Sequence, residues 1–182
     1  NEGFATYLTG LYYENLDADP WWRDWREQKI ERVVSIPDGS IFVQDTTNLY
    51  DIFSSRLSYD KAAYVLHMLR GQVGDEQFFA GMNNYLTDER VINGFASTDL
   101  FRENMELAAD SSLTEFFKDW IYGEGHPIYN ITCLCSGTSV SLYINQTPST
   151  TGGPFFDMKL PLSLYKNVLD LELINKAIYW AK

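Results

Sequence analysis

Residues 59–73, YDKAAYVLHMLRGQV, carry the clearest helical pattern in the chain. Their apolar side chains recur every three or four residues, which is typical of a helix that buries one face. The stripe consists of Ala62, Leu66, Leu69 and Val73. Ser58 precedes it as a candidate N-cap, and Gly74 follows it as a stop signal. The sequence therefore predicts a helix over 59–73 with one buried face.

Helical patterns continue on both sides of this stretch. The same periodicity predicts helices over 3–16, from Asp19-Pro20 to about Val34, and over 76–87, 98–109 and 113–122. Ser112 with Glu115 three residues later has the form of a capping box for the last of these. Residues 40–57 are predicted to be irregular, with a short strand over 41–43. About six helices with short connections predict a helical bundle or lobe.

The charge and the spacing of apolar residues both change at His126-Pro127. Residues 1–127 hold 22 acidic and 10 basic side chains, whereas residues 128–182 hold 3 and 4. From Tyr129 onward apolar and polar residues alternate, which predicts strands rather than helices. A hairpin is expected between Met158–Tyr165 and Leu169–Ile174 across Lys166-Asn167, with another strand over 176–181. We therefore predict an α+β fold, with a helical lobe over 1–127 and a small antiparallel β-sandwich-like unit over 128–182.

Composition narrows the class of protein further. The 182 residues carry a net charge of −11, which argues against a binder of nucleic acid or of an anionic membrane. No apolar run approaches the ~18 residues of a membrane span. Cys133 and Cys135 are too few for a disulfide framework, and we expect two buried thiols. The compartment stays open, although an acidic chain with few cysteines favours a periplasmic or secreted protein over a cytoplasmic one.

Three segments, taken together, resemble the M1 family of gluzincin zinc aminopeptidases. The first is NEGFA at 1–5, and the second is YDKAA at 59–63 followed by VLHMLR at 65–70. The third is FFKDWIYGEGHP at 116–127. The resemblance implies that this chain is the C-terminal half of a thermolysin-like catalytic domain, followed by the start of a β-sandwich. It also implies that Glu2 is the third zinc ligand and that Tyr59 stabilises the transition state of peptide hydrolysis.

These two roles are consistent with elementary chemistry. The positive end of a helix dipole favours an ionised carboxylate at Glu2, which can then bind a metal. The hydroxyl of Tyr59 can donate to the oxyanion that forms when water attacks a peptide carbonyl. Asp60, at the same predicted helix start, is expected to interact with the helix dipole rather than to take part in catalysis.

The HExxH segment of the family, with two imidazole ligands and the general base, does not occur in this sequence. His67 and His126 are the two histidines, and we expect a packed core residue and a turn residue. The resemblance therefore implies an HExxH segment upstream of Asn1 in a longer protein. We expect this chain by itself to be inactive and unable to hold zinc tightly.

Two other interpretations stay open. The first is a non-catalytic scaffold or docking module that keeps the peptidase fold, since fold does not determine function. The second is a related gluzincin with another substrate, such as an endopeptidase or an epoxide hydrolase, because the GxMEN segment that binds the substrate's amino group is also absent.

Overall fold

A computed structural model describes residues 2–16, 19–136, 139–165 and 173–180. Its helices, in chain order, are α1 (Glu2–Asn15), α2 (Asp19–Val34), α3 (Leu49–Ile52), the π-helix π1 (Ser55–Lys61), α4 (Ala62–Val73), α5 (Asp75–Thr87), α6 (Glu89–Ile92), α7 (Thr98–Ala109), α8 (Thr114–Phe117) and the π-helix π2 (Lys118–Tyr122). The strands are β1 (Pro127–Ser136), β2 (Ser139–Pro148), β3 (Lys159–Tyr165) and β4 (Leu173–Trp180). The predicted α+β fold class is confirmed.

The long helix predicted over 59–73 begins at Ser55 instead of Tyr59, and its first part is π-helical. Its first segment is π1, and Ser54 rather than Ser58 is the N-cap, because Ser54 Oγ accepts the N–H of Leu57 at 3.3 Å. The Ser58 hydroxyl instead donates to the carbonyl of Asp51 at 3.3 Å. The end at Gly74 is as predicted, since this glycine has φ of +94°, a conformation that favours glycine.

The predicted capping box before α8 does not form. The N–H of Leu113 donates to Glu106 Oε1 on α7 at 2.7 Å, and Glu115 pairs with Lys118 instead of reaching back. Burial raises the pKa of Glu106, but the bond from Leu113 and the charge of Arg102 outweigh it, so the net shift is downward. A carboxylate from the preceding helix therefore accepts the N–H of the residue just before α8.

The prediction of a short strand over 41–43 is wrong, because these residues are irregular in the structure. The N–H of Phe42 donates to the carbonyl of Ile121 at 3.0 Å, and Ser40 Oγ donates to the same carbonyl at 2.8 Å. These bonds anchor an irregular segment to π2 without forming a ladder, because a single backbone bond does not make a strand pair.

Helices α1, α4, α5 and α7 enclose the main core. Its most deeply buried side chains, at 0–2% exposure, are Tyr7, Ala63, Leu69, Phe78, Met105 and Phe156. Phe156 comes from the segment between β2 and β3, and its ring centroid lies 4.4 Å from that of Trp120. The core of the helical lobe therefore includes a side chain from beyond residue 127. The two-domain division at 127/128 stays a prediction.

The described strands form two antiparallel pairs. β1 pairs with β2 from Pro127↔Pro148 to Ser136↔Ser139, and β3 pairs with β4 from Lys159↔Trp180. The described partner of β3 is β4, which contains the last two residues of the partner predicted over 169–174 and most of the tail strand predicted over 176–181. Residues 169–172 lie outside the described residues. The predicted turn at Lys166-Asn167 lies outside the described residues.

The expectation of buried thiols is also wrong. Cys133 and Cys135 are exposed and free, with their sulfur atoms 4.0 Å apart. Among the described residues, only β2 pairs with this part of β1, so the outer end of the hairpin stays in solvent. Across the described ranges, no helix is both long and apolar enough to span a membrane.

Candidate functional site

Glu2 is the first residue of α1, at the end where the helix dipole is positive. Its side chain is partly buried. Within the part of the chain that the structure describes, its carboxylate has no hydrogen-bond or ion-pair partner. The expected zinc ligand is therefore an acceptor whose oxygen atoms are free to bind a cation. Asn1 lies outside the described residues.

A close contact joins the start of α1 to the start of α4. A Cβ added at Gly3 would lie 2.5 Å from Ala62 Cβ and 3.0 Å from the Ala62 carbonyl carbon. Only glycine permits this approach. Glu2 precedes Gly3 directly, and Tyr59 lies about one helical turn before Ala62. The contact therefore brings the backbone segments that carry the two predicted site residues close together.

Tyr59 lies in the middle of π1 rather than at a helix start. Its ring is partly buried, and its hydroxyl has no hydrogen-bond partner among the described residues. π-Helical turns are rare and are found often at functional sites. The tyrosine therefore carries an unused donor on a segment of unusual geometry.

Asp60 anchors π1 to α2. Its carboxylate is 2% exposed, and its oxygen atoms lie 2.7 Å from Lys29 Nζ and 2.8 Å from Arg32 Nη1. The expectation that Asp60 interacts with the helix dipole is wrong, because π1 begins at Ser55 and Asp60 is its sixth residue. It acts instead as a buried counter-charge that fixes the segment next to Tyr59.

Lys61 anchors the same segment on the other side. Lys61 is 2% exposed, and its Nζ donates to the carbonyl of Gly39 at 2.7 Å. Burial and the nearby charge of Arg56 lower the pKa of Lys61 to about 8. Arg56 itself donates to the carbonyl of Asp38 at 2.9 Å. Two cationic side chains of π1 thus bind the loop that follows α2.

Sequence reasoning missed the roles of Asp60 and Lys61. The available signal was an adjacent acid and base at the edge of an otherwise apolar helical stripe. Charged side chains are rarely fully buried unless they are paired. Their partners lie on α2 and on the loop after it, more than 20 residues away in sequence, and helical periodicity carries no information about such pairs.

His67 is packed among aromatic side chains, as expected, and its Nδ1 is buried without a hydrogen-bond partner among the described residues. Its ring centroid is 5.2 Å from that of Trp22 and 6.1 Å from that of Tyr7. Burial, with the charges of Arg26 and Arg70, lowers its pKa to about 4, so the imidazole is neutral at neutral pH. His126 lies in the turn before β1, as predicted, where its N–H donates to Ser149 Oγ at 2.9 Å.

The described residues fit one part of a zinc site. In the described ranges there is no group of three or more His, Cys, Asp or Glu side chains that could hold a metal ion. A catalytic zinc site usually has three protein ligands. Glu2 has the right donor atoms and no competing partner, so this chain could supply one of the three.

The comparison with known protein families agrees with this geometry. Residues 1–120 match the model of the peptidase family M1 domain. The match covers α1 to α8, and therefore both Glu2 and Tyr59. The chain belongs to peptidase family M1.

Individual relatives are similar at low identity. The chain is 29% identical over 140 residues, or 72% of its length, to a "Probable M1 family aminopeptidase 1" of Encephalitozoon cuniculi. It is 29% identical over 151 residues, or 78% of its length, to a "Leucyl aminopeptidase" of Saccharolobus solfataricus. It is 25% identical over 179 residues, or 92% of its length, to a "Probable aminopeptidase 2" of Sulfurisphaera tokodaii. The matched parts are only 16%, 18% and 22% of these three relatives.

Proposed function

We propose that the intact protein is a zinc-dependent aminopeptidase, in which Glu2 is a zinc ligand and Tyr59 stabilises the transition state. The observation that carries this proposal is the contact between Gly3 and Ala62. This contact brings the backbone next to Glu2 close to the backbone one turn after Tyr59, and neither side chain has a partner among the described residues. Both facts support the proposal.

Zinc, when bound, supplies Lewis-acid activation of water and of the scissile carbonyl. Glu2 would hold the ion with one carboxylate, at a helix start whose dipole keeps that carboxylate ionised. The other two ligands and the general base would come from an HExxH segment of the same protein, upstream of this chain.

Tyr59 would donate a hydrogen bond to the oxyanion that develops on the substrate carbonyl. Such a donor is effective when it is already in place before the reaction. Asp60 and Lys61 are the residues that keep it there, since they fix π1 to α2 and to the loop after α2. The relatives are named as aminopeptidases, so we propose peptides with a free amino end as substrates. The periplasmic or secreted location stays a prediction from composition.

Two substitutions in the full-length protein test the two roles. Tyr59→Phe should lower kcat by roughly 100- to 1,000-fold, the usual effect of removing one oxyanion donor, with the zinc content unchanged. Tyr122→Phe, in the other π-helix, is the matched control and should turn over normally. Normal turnover by Tyr59→Phe contradicts the role given to this hydroxyl.

Glu2→Ala should abolish zinc retention, measured as metal per protein after dialysis. Glu27→Ala, an exposed acid on α2, is the control and should retain zinc. If Glu2→Ala keeps zinc and activity, Glu2 is not a ligand. If the unaltered full-length protein itself neither binds zinc nor cleaves peptides, the non-catalytic scaffold is the correct interpretation.

A further inference from the structure

Two thiols converge at the outer end of the hairpin that β1 and β2 form. Cys133 and Cys135 are two residues apart on β1, so their side chains lie on the same face of the strand. Cα atoms at this spacing are about 6.4–6.8 Å apart along a strand. The two sulfur atoms are only 4.0 Å apart, so the side chains lean toward each other. Both thiols are exposed and free.

The residues around this pair are aliphatic. Across the ladder, Cys133 lies opposite Leu142 and Cys135 lies opposite Val140, and Ile131 is the preceding residue on the same face. Within the described ranges, no Asp, Glu or His joins the two thiols in a cluster of three metal-ligating side chains. A ligand at this place would therefore meet two soft sulfur donors and, from the part of the chain that the structure describes, no carboxylate or imidazole.

A disulfide is the first alternative for two such thiols, and the strand geometry disfavours it. Bridged cysteines usually have Cα atoms about 4.4–6.8 Å apart, and residues two apart on an extended strand lie at the upper limit of that range. Closing the bond would bend β1, which is paired with β2 over its whole length. A metal ion needs no such closure. Two thiolates that bind one tetrahedral ion at about 2.3 Å, the usual Zn–S distance, lie about 3.8 Å apart, which is close to the separation of 4.0 Å found here.

We propose that Cys133 and Cys135 together bind one thiophilic cation of the class of Zn²⁺, Cd²⁺ and Cu⁺, at a site on the hairpin outside the helical lobe. Two S–H bonds break, two metal–sulfur bonds form and two protons pass to solvent, with no change of oxidation state. Thiolates select such cations over Mg²⁺ and Ca²⁺, which prefer oxygen ligands. Water completes the coordination. Desolvation and the neighbouring Cys135 thiol raise the pKa of Cys133, so this thiol keeps its proton at neutral pH until a cation displaces it.

Cd²⁺ alone is the probe, because cadmium bound to thiolate absorbs in the ultraviolet by sulfur-to-metal charge transfer. Cadmium bound to oxygen or nitrogen lacks this absorbance, so the signal separates the pair from the zinc site proposed at Glu2. Titration of the reduced full-length protein should saturate at one such ion per chain. The double variant Cys133→Ser/Cys135→Ser gives the baseline, which removes any contribution from thiols elsewhere in the protein.

Each single variant, Cys133→Ser and Cys135→Ser, should weaken this binding by roughly 100-fold or more, because the second thiolate binds within the same molecule. Leu134→Ser is the matched control. Leu134 lies between the two cysteines and on the opposite face of β1, so its variant should bind Cd²⁺ normally. Since two protons are released, the affinity should rise by up to about 100-fold from about pH 6 to about pH 7, against about tenfold for one thiolate.

Equal Cd²⁺ affinity in the two single cysteine variants and in Leu134→Ser overturns the proposal, and so does a rise in affinity of only tenfold per pH unit. A third outcome would also overturn it. If a thiol reagent does not reach Cys133 and Cys135 in the native, reduced full-length protein, the pair is covered there and is not open to a cation. None of these measurements depends on peptide cleavage, so this proposal can fail while the proposed aminopeptidase function stands.

Discussion

Removal of the Asp60 carboxylate should loosen π1 without unfolding the lobe. Asp60→Asn keeps the shape of the side chain but leaves Lys29 and Arg32 without their anion. Breaking a fully buried ion pair costs about 3–5 kcal/mol. Here the side chains of Lys29 and Arg32 are 20% and 54% exposed, so both cations can regain part of their hydration. We therefore expect a cost of about 2–3 kcal/mol, below most of that range.

Hydrogen exchange followed by mass spectrometry measures this cost where it arises. Since each 1.4 kcal/mol is about a tenfold change in an equilibrium, amides of π1 should exchange roughly 30- to 140-fold faster in Asp60→Asn. Amides of α5 and α7, which do not contact the pair, should be unaffected. Turnover should fall as well, because the Tyr59 hydroxyl would be held in place for a smaller fraction of the time.

Asp24→Asn is the matched control, since Asp24 lies on α2 in a pair with Arg23 that is 3.9 Å long and more than half exposed. Such surface pairs contribute about 0–1 kcal/mol, so its exchange should stay close to that of the unaltered protein. The reasoning is refuted if Asp60→Asn and Asp24→Asn exchange alike in π1, because the buried pair would then not be what fixes this segment.

Two further predictions concern the close contact of Gly3 with Ala62 and the hydrogen bond from Leu113 to Glu106. Gly3→Ala should lower the free energy of unfolding by about 1–3 kcal/mol through overpacking against Ala62. It should also weaken zinc binding, measured by chelator competition. Gly71 has open space around it, so the control Gly71→Ala should not lower the free energy of unfolding. Glu106→Gln should lower the melting temperature at pH 7 by weakening the bond from Leu113. The pKa of Glu106 is lowered on folding from an ordinary 4.5, so its contribution is complete above pH 4.5 and is lost as the pH falls below it. The difference in melting temperature between variant and unaltered protein should therefore shrink in acid, and a constant difference from pH 3 to 7 would contradict this account.

The longer helices were largely predictable from the sequence, because most of them bury part of one face. The short helix α3, which buries no residue, and the first residues of π1 lie in the region 40–57 that was predicted to be irregular. Leu66 and Leu69 of the predicted stripe are buried, whereas Val73 is half-buried. Gly74 ends the helix because few other residues adopt its backbone conformation. The start of the helix was not predictable. Ser54 and Ser58 have equal capping chemistry, and the choice between them depends on the π-helical turn and on the carbonyl of Asp51.

In the candidate site too, some features could be predicted from the sequence and others could not. Glu2 and Tyr59 could be proposed from motifs, since their order and spacing along the chain resemble a known family. The support around them could not, because Asp60 pairs with Lys29 and Lys61 binds the Gly39 carbonyl through tertiary contacts. The same limitation explains the exposed thiols of β1, since alternation alone does not show whether a second layer covers a strand.

Because of Phe156, the core of the helical lobe is completed only by a residue that is synthesised after the lobe's own helices. Its ring is fully buried against Trp120, and Gln146 of β2 holds its backbone through two hydrogen bonds, one to the N–H and one to the carbonyl. A growing chain that has been synthesised only as far as π2 therefore lacks a side chain that packs in the core of its helical lobe. At about 5–20 residues per second, the interval until Phe156 arrives lasts on the order of seconds. During that time Trp120 and its neighbours are open to the aggregation and chaperone binding that exposed apolar surface invites.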